Sequence, residues 1–88
     1  MNDTKRIQAE GLLSFFKFTL KNAGIETLSP KLLEMAFKGM LADESLENYA
    51  GMWVLGYSVA LTGDVLIDDN LTNDELLEAM LTLYKEEI

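Results

Sequence analysis

Helix start and stop signals divide this chain into four short segments, and no other feature constrains its fold as much. Gly24 and Gly63 suit the left-handed backbone that commonly ends a helix. Ser29 and Pro30 are typical of a helix N-terminus, because the serine oxygen caps a free N–H and proline has no N–H to leave unpaired. Thr72 opens a capping box, T-N-D-E, at the start of the last segment.

The apolar residues between these signals recur at helical spacing, so we predict four helices at about 4–23, 30–41, 44–62 and 73–87. Asp3 or Thr4 is expected to cap the first helix, and the third should begin near Asp43–Ser45. Residues 1–88 are expected to form one all-α domain, either a small bundle or an orthogonal array. Residues 64–68 are expected to form an extended connector, and a brief strand paired with a second copy is the alternative. The apolar face of the last helix contains Leu76, Leu77, Met80, Leu81, Tyr84 and Ile88.

The third predicted helix is apolar around most of its circumference. Its polar residues fall with Gly51 within one arc of about 100°, and apolar residues, Ala50 and Ala60 among them, occupy most of the rest. A helix of this kind is usually buried on several sides, so it should be either the central helix or an oligomer interface. Aromatic and methionine side chains are favoured in interface cores. We therefore predict a homodimer whose interface includes Tyr49, Met52, Trp53 and Tyr57.

Two missing residue types restrict the chemistry. The 88 residues include neither cysteine nor histidine, which removes disulfides, thiolate metal sites and the commonest general base. The neighbouring pairs Asp68-Asp69 and Glu86-Glu87 are adjacent in sequence, but adjacency alone does not place them in one pocket. We therefore expect a protein that is not an enzyme and that uses no cofactor or metal.

Charge is distributed unevenly along the chain. Residues 1–41 carry six basic and four acidic side chains, whereas residues 42–88 carry one basic and eleven acidic side chains. A field of this sign repels nucleic acid and attracts a basic protein surface. A DNA-reading third helix is also not expected, because residues 44–63 contain no lysine or arginine. We predict an acidic partner-binding face at Asp64, Asp68, Asp69, Asp74, Glu75 and Glu78.

Ser45 raises a different interpretation. It follows Asp43 and Glu44 and precedes Leu46 at the start of a predicted helix, and an acidic "LIDDN" segment comes later. These features resemble acyl carrier proteins, whose phosphopantetheine is attached to the serine of an Asp-Ser-Leu motif. The resemblance implies modification at Ser45. Here glutamate replaces the aspartate of that motif, and a helix at 30–41 stands where carriers have a long loop. The alternative is that Ser45 only caps or borders a helix.

Residues 23–49, "AGIETLSPKLLEMAFKGMLADESLENY", resemble the antitoxins of Fic-type AMP-transferases over about a third of the chain. The resemblance implies inhibition of a toxin enzyme. That family inhibits through a Ser/Thr-x-x-x-Glu-Gly motif, and the nearest match here runs from Thr19 to Gly24. Ala23 occupies the position of the inhibitory glutamate, so no functional residue is transferred from that family.

Residues 64–75 have the length of an EF-hand calcium loop, with oxygen donors at Asp68, Asn70 and Thr72. The third position is Leu66, and the sixth is Asp69 where such a loop needs glycine. These departures remove a ligand and hinder the turn, so solvated acids in a connector explain the segment better.

Together these features predict a small acidic protein-interaction module that acts as a regulator, inhibitor or assembly factor, of the kind that mobile elements encode. We expect it in the cytoplasm, since no targeting segment is evident. The longest nearly apolar stretch, residues 49–61, is also shorter than the roughly 20 residues that cross a bilayer.

Overall fold

A computed structural model describes residues 1–87 and contains four α-helices: α1 (Asp3–Asn22), α2 (Pro30–Leu41), α3 (Glu44–Thr62) and α4 (Asn73–Glu87). The predicted all-α class and the four predicted helices are confirmed, with ends that agree to within one residue. No strand is present among the described residues, so the connector at 64–68 is extended but unpaired. Ile88, which was predicted on the apolar face of the last helix, lies outside the described residues.

Short polar side chains start the helices. Asn2, rather than Asp3 or Thr4, caps α1, and its amide oxygen accepts the Lys5 N–H at 2.8 Å. Ser29 caps α2 as predicted, with 3.1 Å between its hydroxyl oxygen and the Leu32 nitrogen. These bonds satisfy N–H groups that have no partner within the helix.

Helices α1 and α2 share the same two neighbours, because each of them packs against both α3 and α4. The core lies where these four helices meet. Phe15 of α1, Leu33 and Phe37 of α2 and Met80 of α4 are its largest fully buried apolar residues. α3 supplies only the smaller residues Ala50, Val54 and Ser58 to this core.

Gly11 allows α1 and α3 to approach closely. A β-carbon at this position would lie 3.2–3.3 Å from the ring and β-carbon of Tyr57, which is tighter than ordinary van der Waals contact. The glycine therefore costs helix propensity in α1 but provides the space in which Tyr57 packs.

The connector between α3 and α4 is fixed to the core by two buried polar side chains. The Ser58 hydroxyl donates to the Asp64 carbonyl at 2.8 Å and accepts the Leu66 N–H at 2.9 Å. The Gln8 side-chain oxygen of α1 accepts the Asp68 N–H at 2.9 Å. These bonds satisfy backbone groups of an irregular segment, which does not form the hydrogen bonds of a helix.

We expect Gly11→Ala to lower the free energy of unfolding by about 1 kcal/mol, because the added methyl group displaces the Tyr57 β-carbon, which cannot rotate away. Urea unfolding monitored by circular dichroism measures the change. Gly39→Ala is the matched control: it lies in α2 with open space around it and should stabilise the protein by about 0.5–1 kcal/mol. Stabilisation by both variants would contradict the close approach.

Candidate protein-interaction site

α3 turns a narrow stripe toward the core and its widest apolar surface toward solvent. Its buried residues are Ala50, Val54 and Ser58. Of the two alternatives predicted for this helix, a central helix buried on several sides is therefore not what the structure has. The physical reason is that its small residues allow close approach to α1, while Ser58 must face inward to hold the connector.

The solvent side of α3 carries a continuous apolar strip, which we call the outer face. The exposed fraction is 56% for Tyr49, 71% for Met52 and 46% for Val59. Residues 48–63 contain no acidic or basic side chain, so no charge interrupts the strip. The outer face comprises Tyr49, Met52, Leu55, Gly56, Val59 and Ala60.

The four predicted interface residues divide into two pairs. Tyr49 and Met52 are exposed on the outer face. Trp53 and Tyr57 are half-buried against α1 at its edge, and the Trp53 ring lies 5.0 Å from the Phe18 ring. The prediction omitted Leu55, Gly56, Val59 and Ala60. Their spacing of three, four, seven and eight residues from Met52 is the helical signal that would have included them.

A shallow hollow of about 360 Å³ lies beside the outer face, between α1 and α3. Its apolar floor forms because two small residues of α3 leave space between two aromatic rings. The lining residues are Ser14, Trp53, Gly56, Tyr57 and Ala60.

The Tyr57 hydroxyl lies at the α1 side of this region and donates a hydrogen bond to the Glu10 carboxylate at 3.2 Å. Partial burial raises the pKa of Tyr57, and the charge of Glu10 and this hydrogen bond raise it further. Glu10 is itself held by Arg6, whose Nε lies 3.1 Å from the other carboxylate oxygen. The Tyr57 phenol therefore keeps its proton, and its hydrogen bond to Glu10 joins α3 to α1.

The structure brings part of the predicted acidic face together with a residue that the sequence prediction missed. Asp68 and Asp69 border one surface depression with Asp3 of α1 and with Asn2, which caps that helix. Asp3 is distant in sequence, and it joins the acids because Gln8 binds the connector to α1. No local pattern in the sequence indicates this contact.

The remaining predicted acids lie at both ends of the connector. Asp64 follows α3, and its carboxylate accepts the Val65 N–H. Asp74, Glu75 and Glu78 lie exposed in the first two turns of α4. Glu75 forms the predicted capping box with Thr72, whose backbone and side-chain hydrogen bonds lower the pKa of this carboxyl. Part of its hydrogen-bonding capacity is therefore used within the helix cap.

None of the six predicted acids forms an ion pair with a cation among residues 1–87. The ion pairs in this range lie elsewhere and use Glu10, Glu34, Glu86 and Glu87. The charge of Lys5 acts on Glu75, but without an ion pair these carboxylates retain an attraction for a basic molecule.

Ser45 is exposed in the first turn of α3 but does not cap it. Asp43 is the N-cap, and its carboxylate accepts the Leu46 N–H at 3.1 Å. In the loop with EF-hand length, the Asp68 carboxylate accepts the Asn70 N–H at 3.0 Å. Within the described chain, no three acidic side chains converge as a metal site would require.

No helix within residues 1–87 is both long enough and apolar enough to cross a bilayer. Comparison of the chain with protein-family models, with curated proteins and with solved structures finds no match.

We expect the stability of the wild-type protein to fall as the pH rises through the raised pKa of Tyr57. A raised pKa means that folding favours the protonated phenol, so this contribution is complete below the usual value of 10.0 and is lost above it. Urea unfolding across this range should show a shallower alkaline loss for Tyr57→Phe. Identical alkaline slopes for the two proteins would contradict the assignment.

Proposed function

We propose that this chain is a non-enzymatic protein-interaction module that regulates, inhibits or assembles other proteins by binding them. The observation that supports the proposal best is the outer face of α3. Met52 at its centre is 71% exposed, and no charged residue lies on that face. Large exposed apolar patches on small domains usually mark contact surfaces, because burying them against a partner removes apolar area from water.

The acidic residues form the second contact surface in this proposal. Asp3, Asp68 and Asp69 share one depression, and Asp74 and Glu78 are exposed at the start of α4. A basic partner would be steered to these carboxylates over a distance of about 10 Å at moderate ionic strength. The association rate with such a partner should therefore fall as salt increases.

The triple variant Asp68→Asn, Asp69→Asn, Asp74→Asn tests the acidic surface. We expect it to lose the partners that the wild-type protein captures from a lysate of its source cells at low salt, while its helical content stays unchanged. Quantitative mass spectrometry compares the captured proteins, and circular dichroism verifies the fold.

The matched control is Glu26→Gln, Glu44→Gln, Glu47→Gln, which removes the same charge from exposed acids outside this surface. It should retain the captured partners. Equal capture by the two triple variants would contradict a role for the acidic surface, and so would the absence of any protein bound above background.

The carrier interpretation remains a prediction, since Ser45 is exposed at the start of α3. It requires a mass increase on Ser45 after incubation with coenzyme A and a phosphopantetheinyl transferase. An interaction module shows no such increase. The cytoplasmic location expected from the sequence also remains a prediction.

A further inference from the structure

We infer that the outer face of α3 binds the same face of a second copy, with the two helices antiparallel around a two-fold axis at Gly56. Each Met52 side chain enters the hollow beside Gly56 and Ala60 of the other copy. This inference rests on the proposed role of the outer face as a contact surface, and it names the partner and the geometry.

Residue size along the outer face supports the antiparallel arrangement. Around an axis at Gly56, Met52 lies opposite Ala60, and Tyr49 lies opposite Gly63. Met52 and Tyr49 therefore each meet a small residue of the other copy, whereas Leu55 lies opposite Tyr57 near the axis. A parallel pair would place Met52 on Met52 and Ala60 on Ala60, which produces overlap at one end and a void at the other.

The charged residues of α3 lie outside the central region of contact. Asp43, Glu44 and Glu47 lie at the helix N-terminus, and no charged residue follows before Asp64. Antiparallel pairing around Gly56 brings the acidic first turn of one α3 near Asp64 of the other copy, and parallel pairing would place the two acidic turns side by side, so charge does not choose between the two arrangements. The contact itself buries no charge, so it avoids the desolvation cost of buried ions.

The available area, if it is covered completely, reaches the lower limit for a specific dimer. The outer face with the neighbouring Phe18 and Trp53 exposes on the order of 600 Å² per copy, or about 1,200 Å² for two copies. This total lies at the lower end of the range for specific interfaces. Nothing lies within 4 Å of a β-carbon placed on Gly56, so a second helix can approach the backbone there.

Cysteine crosslinking tests the axis, because the natural chain contains no cysteine. We expect purified Gly56→Cys to form a disulfide-linked dimer under mild oxidation at least about tenfold faster than Gly51→Cys, since only the first places its two thiols within the separation that a disulfide spans. Gly51 is the matched control: it lies on the same helix, has equally open space and is turned by about 140° around the helix from Gly56, toward the cavity that it lines with Ala50 and Val54. Equal rates, or no linkage of Gly56→Cys, would overturn the inference.

Exchanging residue sizes tests the register. Met52→Ala and Ala60→Met should each weaken dimerisation by about tenfold, whereas the double variant should return to near the wild-type dissociation constant. Analytical ultracentrifugation of the four proteins measures these constants. A double variant as weak as the product of the two single effects would overturn the antiparallel register.

The experiments distinguish failure of self-pairing from failure of the proposed function. A wild-type chain that stays monomeric at high concentration overturns self-pairing, but the acidic triple variant still tests capture of other proteins. A crosslinked dimer that captures no partner supports self-pairing and overturns the acidic contact surface.

Discussion

The inward position of Ser58 determines how the rest of the molecule is arranged. Its hydroxyl binds both the Asp64 carbonyl and the Leu66 N–H, and the Thr62 hydroxyl donates a second bond to the Asp64 carbonyl at 3.1 Å. Rotating α3 to bury Met52 would move Ser58 toward water and leave the Leu66 N–H without its partner. An unsatisfied buried polar group costs about 1–3 kcal/mol, which is a large share of the stability of a small domain.

The orientation of α3 has consequences on both sides of the helix. On the inside, Ala50 and Val54 pack in the core, and Tyr57 fits over Gly11 at its edge. On the outside, the large side chains that α3 does not bury form an uncharged strip. The observed orientation of α3 therefore completes the core of one copy and exposes a surface that is suited to a protein partner.

Local signals in the sequence were sufficient to predict the helices. The Ser29 cap, the capping box at Thr72 and the stop at Gly63 act through neighbouring backbone groups, and each appears where it was predicted. The orientation of α3 could not be predicted in this way, because its apolar residues surround most of the helix. Its inner side is decided by contacts with Gly11 and with the connector. The addition of Asp3 to Asp68 and Asp69 likewise depends on the long-range hydrogen bond from the connector to Gln8.

The most direct test of the outer face is molar mass by light scattering over about a hundredfold range of concentration, at low and high salt. We expect the wild-type protein and Met35→Glu to reach twice the monomer mass, and more readily at high salt, which screens the formal charge of −8 on each copy. Met52→Glu should stay monomeric. Met35 is the matched control because it is 60% exposed on α2. Dimerisation of Met52→Glu with wild-type affinity, or a wild-type monomer throughout, would contradict a self-binding outer face.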